Sequence, residues 1–406
     1  MKKLLVLYLF ISTILFFPLK VHAKTAIPDN LSCDGYVLMD MDSGKILASK
    51  NENTRYEPAS ITKVLTALIV IEKGNLSDKI TITKTPTAEE GSSIYLKEGE
   101  VMTVEQLLYG LMLKSGNDAA TALAQYISGS NEEFAKEMNK KAKELGATNS
   151  NFTNPHGLND NNHYTTPRDY AIISKGAMQN PTFRKIVSTV RYEIPATPQF
   201  PEVRCFINHN KLISTKKYKY EGANGIKTGF TTRSLHTFVG SATKGDTNLL
   251  IVLLKSTNDF YNTSKLLLDY GFNNYESKYV INKDEPIGNM ELEGKSHIKL
   301  LPDKSFKYIF EKDNPEKLTQ QVDYLNIKSF KKGDVVAKLN IISNGNIINT
   351  IDLKADKEYK TKLEETLSSI GVTNQKQFII FVSSAVAVLI LALTILNIKV
   401  KKVKRK

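Results

Sequence analysis

Three short clusters of side chains in this chain could together move a proton and hold an acyl group. They are Ser60-Ile61-Thr62-Lys63, Ser115-Gly116-Asn117 and Lys227-Thr228-Gly229, which read S-x-x-K, S-x-N and K-T-G. A serine hydroxyl is a poor nucleophile until a base takes its proton. A lysine can be that base if burial and nearby positive charge lower its pKa. Ser60 and Lys63 stand three apart at the expected start of a helix, so their side chains share a face. The helix N-terminus also aims backbone N–H dipoles at an oxyanion formed there. Ser115 can relay a proton between Lys63 and a leaving group, and Asn117 can hydrogen-bond a substrate amide. Lys227 offers a cation and Thr228 a hydroxyl, suited to a carboxylate-bearing substrate; Gly229 lets a backbone approach closely. Each motif alone has a bland reading: a capped helix with a surface lysine, a Ser-Gly-Asn loop of the kind turns favour, an edge strand with a solvent-facing lysine. All three in this order point to a serine acyl-transfer site.

The surrounding pattern supplies elements to hold them. Gly35–Met39 and Lys45–Ala48 flank the turn Asp42-Ser43-Gly44 and read as a β-hairpin. A helix begins near Pro58, with Ile61, Val64, Leu65, Leu68 and Ile69 on one stripe. Thr103 and Gln106 make a capping box for a second helix, and Ser130 with Glu133 caps a third that Gly146 stops. Thr166-Pro167 opens a fourth. A second hairpin runs from Thr237 through the Lys244-Gly245-Asp246 turn to Leu254, and a last helix runs to Tyr270, ended by Gly271. Early and late strands then share one antiparallel sheet with helices on both faces. That is a mixed α+β class rather than a parallel βαβ array.

Beyond Asn274 long helices give way to strand-like runs, among them His297–Leu300, Phe306–Phe310 and Val335–Leu339. Leu339–Asn349 is a hairpin turning at Asn344-Gly345. This reads as a small all-β domain without a catalytic constellation, and residues 356–377 read as a charged, polar stalk.

Both ends of the chain look like addresses. Met1-Lys2-Lys3, the apolar run from Leu4 to Pro18 and Val21-His22-Ala23 read as a signal peptide cleaved after Ala23. Phe378–Ile398 is uncharged and apolar, and as a helix would span roughly 32 Å, enough for a bilayer core of about 30 Å. Lys399, Lys401, Lys402, Lys404, Arg405 and Lys406 follow it and should stay cytoplasmic, leaving everything before Phe378 outside. The net charge is +13, but Lys2, Lys3, Lys20 and the six tail residues carry nine of it. The basicity is therefore targeting chemistry, and no nucleic-acid partner is expected. Cys33 and Cys205 could pair in an exported protein, which sequence alone leaves open. The six histidines lack metal-ligand spacing, so no metal and no cofactor are expected. The expected divisions are 1–23 signal peptide, 24–273 catalytic domain, 274–365 β-rich domain, 366–377 linker, 378–398 transmembrane helix and 399–406 basic tail.

The residues around the motifs carry a resemblance. Glu57–Lys63, Leu111–Ala119, Asn154-Pro155-His156-Gly157-Leu158 and Gly225–Thr231 resemble the serine-type D-alanyl-D-alanine carboxypeptidases, the low-molecular-weight penicillin-binding proteins. The resemblance is close over 33–272, and the β-rich segment is more loosely similar to that family's C-terminal domain. It implies a β-lactamase/transpeptidase-like catalytic fold. It implies Ser60 as acyl-ester nucleophile, Lys63 as proton acceptor, Ser115 as a further active-site residue and Lys227 as substrate-binding. It implies an oxyanion hole from the N–H groups of Ser60 and Phe230. It also implies peptidoglycan stem peptides ending in D-Ala-D-Ala as substrate, β-lactams as covalent inhibitors, and the cytoplasmic membrane as partner. His156 is read as a loop anchor rather than a catalytic group.

Two stretches depart from the family's pattern. Arg233-Ser234-Leu235-His236 replaces a small Ala-Gly pair, and Ser256–Asn262 lacks the basic residue that helps hold the substrate carboxylate in many members. Arg233 is the candidate substitute. The anchor departs too, being membrane-spanning rather than amphipathic. Three competing readings use the same pocket: a β-lactamase, against which stands the absence of a Glu-x-x-Leu-Asn segment; a DD-endopeptidase; and a non-catalytic penicillin sensor or wall-binding protein, against which stand the intact Ser60, Lys63, Ser115 and Lys227.

Overall fold

Strand β1 (Cys33–Asp40) sends alternate side chains to opposite faces of a sheet. Val37 and Met39 enter one apolar core; Tyr36 and Leu38 enter another. The late strand Thr247–Ser256 repeats the alternation, with Leu250, Val252 and Leu254 on the first side and Leu249, Ile251 and Leu253 on the second. Each strand is therefore buried on both faces and needs helices on both, as expected. In this computed structural model residues 26–403 are described, apart from 29, 258, 293–295 and 373–374. The expected signal peptide, within 1–25, and residues 404–406 lie outside the described residues.

The sheet has five antiparallel strands in the order β2-β1-β5-β4-β3. Here β2 is Ile46–Lys50, β3 Ala223–Thr231, β4 Leu235–Lys244 and β5 Thr247–Ser256. Helix α1 (Lys63–Lys73) is buried from Lys63 through Val70 and forms the centre of a helical layer. An α-helix buried all round belongs to a core, which explains its almost uninterrupted apolar sequence. Around it pack α2 (Val104–Leu113), α3 (Asn117–Ser128), α4 (Asn131–Leu145), α5 (Pro167–Gln179) and α6 (Pro181–Ser188). The Thr103–Gln106 capping box is present, Ser130 and Thr166 cap α4 and α5, and Pro167 opens α5.

Helix α7 (Phe260–Asn274) covers the other face, and it corrects one expectation. It does not stop at Gly271 but runs through it. A Cβ there would meet Leu249 Cδ1 at 2.5 Å and Leu38 Cδ2 at 3.3 Å. Gly271 is small so that the helix can lie against the sheet, not so that it can end.

Two compact units make up the chain: residues up to Lys278 with Lys307–Pro315, and Tyr279–Phe306 with Glu316 onward. Strand Phe306–Glu311, read in sequence with the β-rich segment, contributes Ile309 to the outer core of the first unit. The second unit holds a five-stranded antiparallel sheet. Its hairpin of Val335–Ser343 and Asn346–Ala355 turns at Asn344-Gly345, both with positive φ, as the sequence requires. The stalk segment is partly helical: Lys362–Ser369 forms a helix capped by a Thr361–Glu364 box. Lys376–Ile398 lies in a helix long and apolar enough to cross a membrane, with its described side chains exposed. Both cysteines are free, Cys33 buried and Cys205 exposed.

Candidate active site

A 3-10 turn, Ala59–Thr62, delivers Ser60 to the N-terminus of α1. Ala59 has a φ of 50°, a left-handed conformation costly for a residue with a Cβ. Neighbours hold it there. The Thr237 hydroxyl on β4 donates to Pro58 O at 2.7 Å, and the Tyr170 hydroxyl on α5 donates to Ile61 O. Gly157, with φ +88°, packs so close that a Cβ would lie 1.8 Å from Ala59 O. Only glycine admits the loop Asn154–Leu158 at that point.

Lys63 is fully buried, and its Nζ reaches three oxygens: Ser60 Oγ at 3.0 Å, Asn117 Oδ1 at 2.7 Å and His156 O at 2.7 Å. The orientation of the Asn117 amide follows from its other end, where Nδ2 donates to Glu90 O at 2.5 Å. Asn117 Oδ1 and His156 O can only accept. A neutral amine has two hydrogens and one lone pair. The two carbonyls take the hydrogens, and the lone pair is left facing the Ser60 hydroxyl. Burial holds the Lys63 pKa well below the ordinary lysine value, and the positive charge of Lys227 adds to it, against Asp118 and Glu89. Geometry and electrostatics thus favour the same protonation state: a neutral amine with its lone pair toward the Ser60 hydroxyl.

Ser115 lies between α2 and α3 with a φ of 65°. Its hydroxyl is buried and has no hydrogen-bond partner among the described residues. A buried unpaired hydroxyl is costly, and its backbone is strained as well. Both features fit a group kept for a substrate or a transferring proton. Asp118 fixes the facing loop by accepting from Ser93 Oγ and the N–H groups of Ile94 and Leu96. The buried bidentate pair Arg204–Glu100, at 2.7 and 2.8 Å, holds the same loop through Arg204 Nε to Ile94 O.

Strand β3 forms the opposite wall. Lys227, Thr228 and Gly229 pair with Val239, Phe238 and Thr237. A Cβ on Gly229 would lie 2.3 Å from Thr237 Oγ1 and 2.8 Å from Ser60 N, so the strand touches the Ser60 turn directly. That contact brings the next residue, Phe230, toward Ser60; the Phe230 ring is 57% exposed beside His236. Lys227 is 1% exposed, its Nζ donates to Thr228 O at 2.8 Å, and burial pulls its pKa to about 7. Ser60, Ser115, Thr228, Gly229 and Phe230 line one cleft of about 750 Å³. Asn117 and Lys227 stand behind that lining.

Several groups carry no motif in the sequence. The His156 carbonyl is one, and its ring is turned to other work: Nδ1 accepts from Leu158 N–H, and Nε2 lies 3.4 Å from Glu89. Burial and Lys63 hold the imidazole neutral, with a pKa of about 3. His163 is buried beside it. Its Nδ1 accepts from Thr153 N–H at 3.0 Å, so Nε2 donates to Thr62 Oγ1 at 2.9 Å. Arg233 does not take the place expected of it. It pairs with Glu57 at 2.6 Å, donates to Asn161 at 3.2 Å, and is not part of the cleft lining.

An antiparallel sheet between helical layers, with a Ser-Lys pair at the foot of the central helix and a K-T-G strand against it, defines a serine acyl-transfer protein. Comparison with known families narrows this. The family described as D-alanyl-D-alanine carboxypeptidase, peptidase S11, matches residues 22–258, and the chain belongs to it. The C-terminal domain of penicillin-binding protein 5 matches 275–361. The chain is 36% identical over 263 residues to D-alanyl-D-alanine carboxypeptidase DacF of Bacillus subtilis, covering 63% of this chain and 66% of that protein. It is 33% identical over 286 residues to DacC of Escherichia coli, covering 66% and 69%. Penicillin binding protein 5 from Haemophilus influenzae superposes with a TM-score of 0.69 at 28% identity, over 83% of this chain and all of that one. D-alanyl-D-alanine carboxypeptidase from Mycobacterium tuberculosis superposes with a TM-score of 0.57 at 32% identity, over 62% and 94%.

Proposed function

We propose that this protein removes the terminal D-alanine from peptidoglycan stem peptides through an acyl-enzyme on Ser60, and that β-lactams acylate the same hydroxyl. The observation that carries the reading is the Lys63 amine, 3.0 Å from Ser60 Oγ, with its other hydrogen-bonding positions occupied by carbonyls. Lys63 takes the Ser60 proton as Oγ attacks the carbonyl between the two D-alanines. The oxyanion forms against the N–H groups of Ser60 and Phe230. Ser115 passes the proton from Lys63 to the departing amine, and D-alanine leaves. Water then attacks the acyl-Ser60 ester and the enzyme is restored. Asn117 holds the base, and Thr228 and Gly229 line the strand edge along which the peptide lies.

We read residues 24–273 as the catalytic domain, 274–365 as the β-rich domain, and 378–398 as a single membrane span after a cleaved signal peptide. This puts the active site on the outer side of the cytoplasmic membrane, where its substrate is. The apolar helix Lys376–Ile398 and the basic residues after it support that topology.

The test is D-alanine release from a diacyl-L-Lys-D-Ala-D-Ala peptide, set beside fluorescent penicillin labelling. Release with labelling supports the carboxypeptidase. Labelling with neither D-alanine release from free stems nor cleavage of cross-linked dimers identifies a sensor; cleavage of dimers to monomers without D-alanine release identifies an endopeptidase.

A further inference from the structure

The substrate proposed above ends in a carboxylate, and penicillin carries one on its thiazolidine ring. A carboxylate leaving water needs a cation or several N–H donors to replace its hydration. The sequence suggests places for that cation, and the structure fills each differently. Lys227 is 1% exposed, with its Nζ on Thr228 O. Arg233 is held by Glu57 and Asn161, away from the cleft lining. The stretch after β5 gives the cleft two aromatic residues, Phe260 and Tyr261.

The cations that do line the cleft are Lys114 and Lys211. Among the described residues no acidic side chain lines it. Lys211 opens the short helix Lys211–Ser214, and its backbone is pinned to the cleft wall. Its N–H donates to the Tyr261 hydroxyl at 3.1 Å, and that hydroxyl donates to His209 O at 2.9 Å. The side chain is exposed, with Nζ 5.7 Å from the Tyr218 ring centroid. Neither Lys211 nor Lys114 has an acidic partner within 4.0 Å among the described residues. Burial first, and then the charges of Lys227, Lys114 and Lys211, hold the His209 imidazole at about 4, so the three lysines converge on one stretch of wall.

We propose that Lys211 is the carboxylate anchor of this cleft, pairing with the C-terminal carboxylate of D-alanyl-D-alanine ends while the Thr228 hydroxyl meets it from β3. Lys114 adds attraction through space. The proposal rests on the Ser60 acyl-enzyme reading and names a specificity-determining residue for it.

The test compares second-order acylation rate constants for benzylpenicillin and for its methyl ester, which lacks the charge. It uses full-length protein in detergent as wild type, Lys211→Met, Lys211→Arg and Lys265→Met. Lys211→Met should slow the acid by about tenfold to a hundredfold, the range for a hydrogen bond to a charged group. It should leave the ester within about twofold, so the preference for acid collapses, and Lys211→Arg should keep most of it. Lys265, 6.0 Å from the same Tyr218 ring but outside the cleft lining, controls for the general field; Lys265→Met should change neither rate. An unchanged acid-to-ester ratio in Lys211→Met, or an equal loss in Lys265→Met, would overturn the assignment. Ester labelling of Lys211→Met reports that the Ser60 machinery is intact. A wild type labelled by neither compound would instead defeat the acyl-enzyme reading, and the anchor with it.

Discussion

Lys227 depresses Lys63. Burial comes first and the Lys227 charge second in holding the Lys63 amine below the ordinary lysine range, and Asp118 and Glu89 pull the other way. The K-T-G strand therefore does more than line a binding cleft. It lowers the pKa of the S-x-x-K lysine from the opposite wall.

Lys227→Gln removes that charge and keeps a polar side chain. The Lys63 pKa should rise, and the ascending limb of the acylation rate against pH should move to higher pH. A limb that stays in place would mean that Lys227 does not act on the base.

Lys63→Arg puts a permanent positive charge where the proposed base, a neutral amine, stands, because arginine is effectively never deprotonated. Acylation should fall by about a hundredfold or more, the contribution of a general base. If Lys63 worked as a permanent cation, the arginine variant would stay active with a flat profile between pH 5 and 10. Stopped-flow acylation across that range separates the two roles.

Gly229→Ala tests the contact between strand and Ser60 turn. The new Cβ would fall 2.8 Å from Ser60 N and 2.3 Å from Thr237 Oγ1, so β3 must move outward. Losing an oxyanion donor costs about a hundredfold to a thousandfold. Acylation should fall toward that range, with a stability loss of about 1–3 kcal/mol. Wild-type acylation in a folded Gly229→Ala protein would show that this contact does not set the Phe230 N–H.

The order of elements and the three motifs were legible because they rest on local signals: a capping box at Thr103, turn residues at Asp42-Ser43-Gly44, alternation along β5. The mutual placement of Ser60 and Lys63 was legible for the same reason, since three residues of helix fix it. What holds the Lys63 amine was not. The His156 carbonyl is a backbone atom that any residue could supply, and only Gly157 beside it hints that the loop comes close. Gly271 misled because a glycine at a helix end and one at a helix–sheet contact look alike in sequence. Arg233 misled because nothing local reveals that Glu57, far away along the chain, will claim it.

Buried neutral histidines should make stability depend on pH. The His163 pKa falls from 6.5 to about 4 and that of His156 to about 3, each chiefly through burial. Between those values and 6.5 the unfolded chain binds protons that the folded one refuses. The histidines' contribution to stability is therefore fully present above about pH 6.5 and declines as pH falls, by up to about 1.4 kcal/mol per pH unit for each histidine. Glu100, whose pKa is lowered from 4.5 despite burial, by Arg204 and other hydrogen bonds, adds its loss only below that value. Urea titrations at pH 7 and pH 5 should show the decline, and His163→Gln should be less stable at pH 7 but less sensitive to pH. Equal stability of the wild type at both pH values would contradict neutral burial.

The claim on which everything else depends is that Ser60 is the acylated atom. Trypsin cuts after Arg55 and Lys63, so Tyr56–Lys63 is released as one peptide carrying Ser60. Mass spectrometry of the benzylpenicillin-treated protein should find a single penicilloyl adduct on that peptide, fragmenting to Ser60. Ser60→Ala, folded as judged by its unfolding curve, should show none. An adduct on any other residue, or one that persists in Ser60→Ala, would contradict the account.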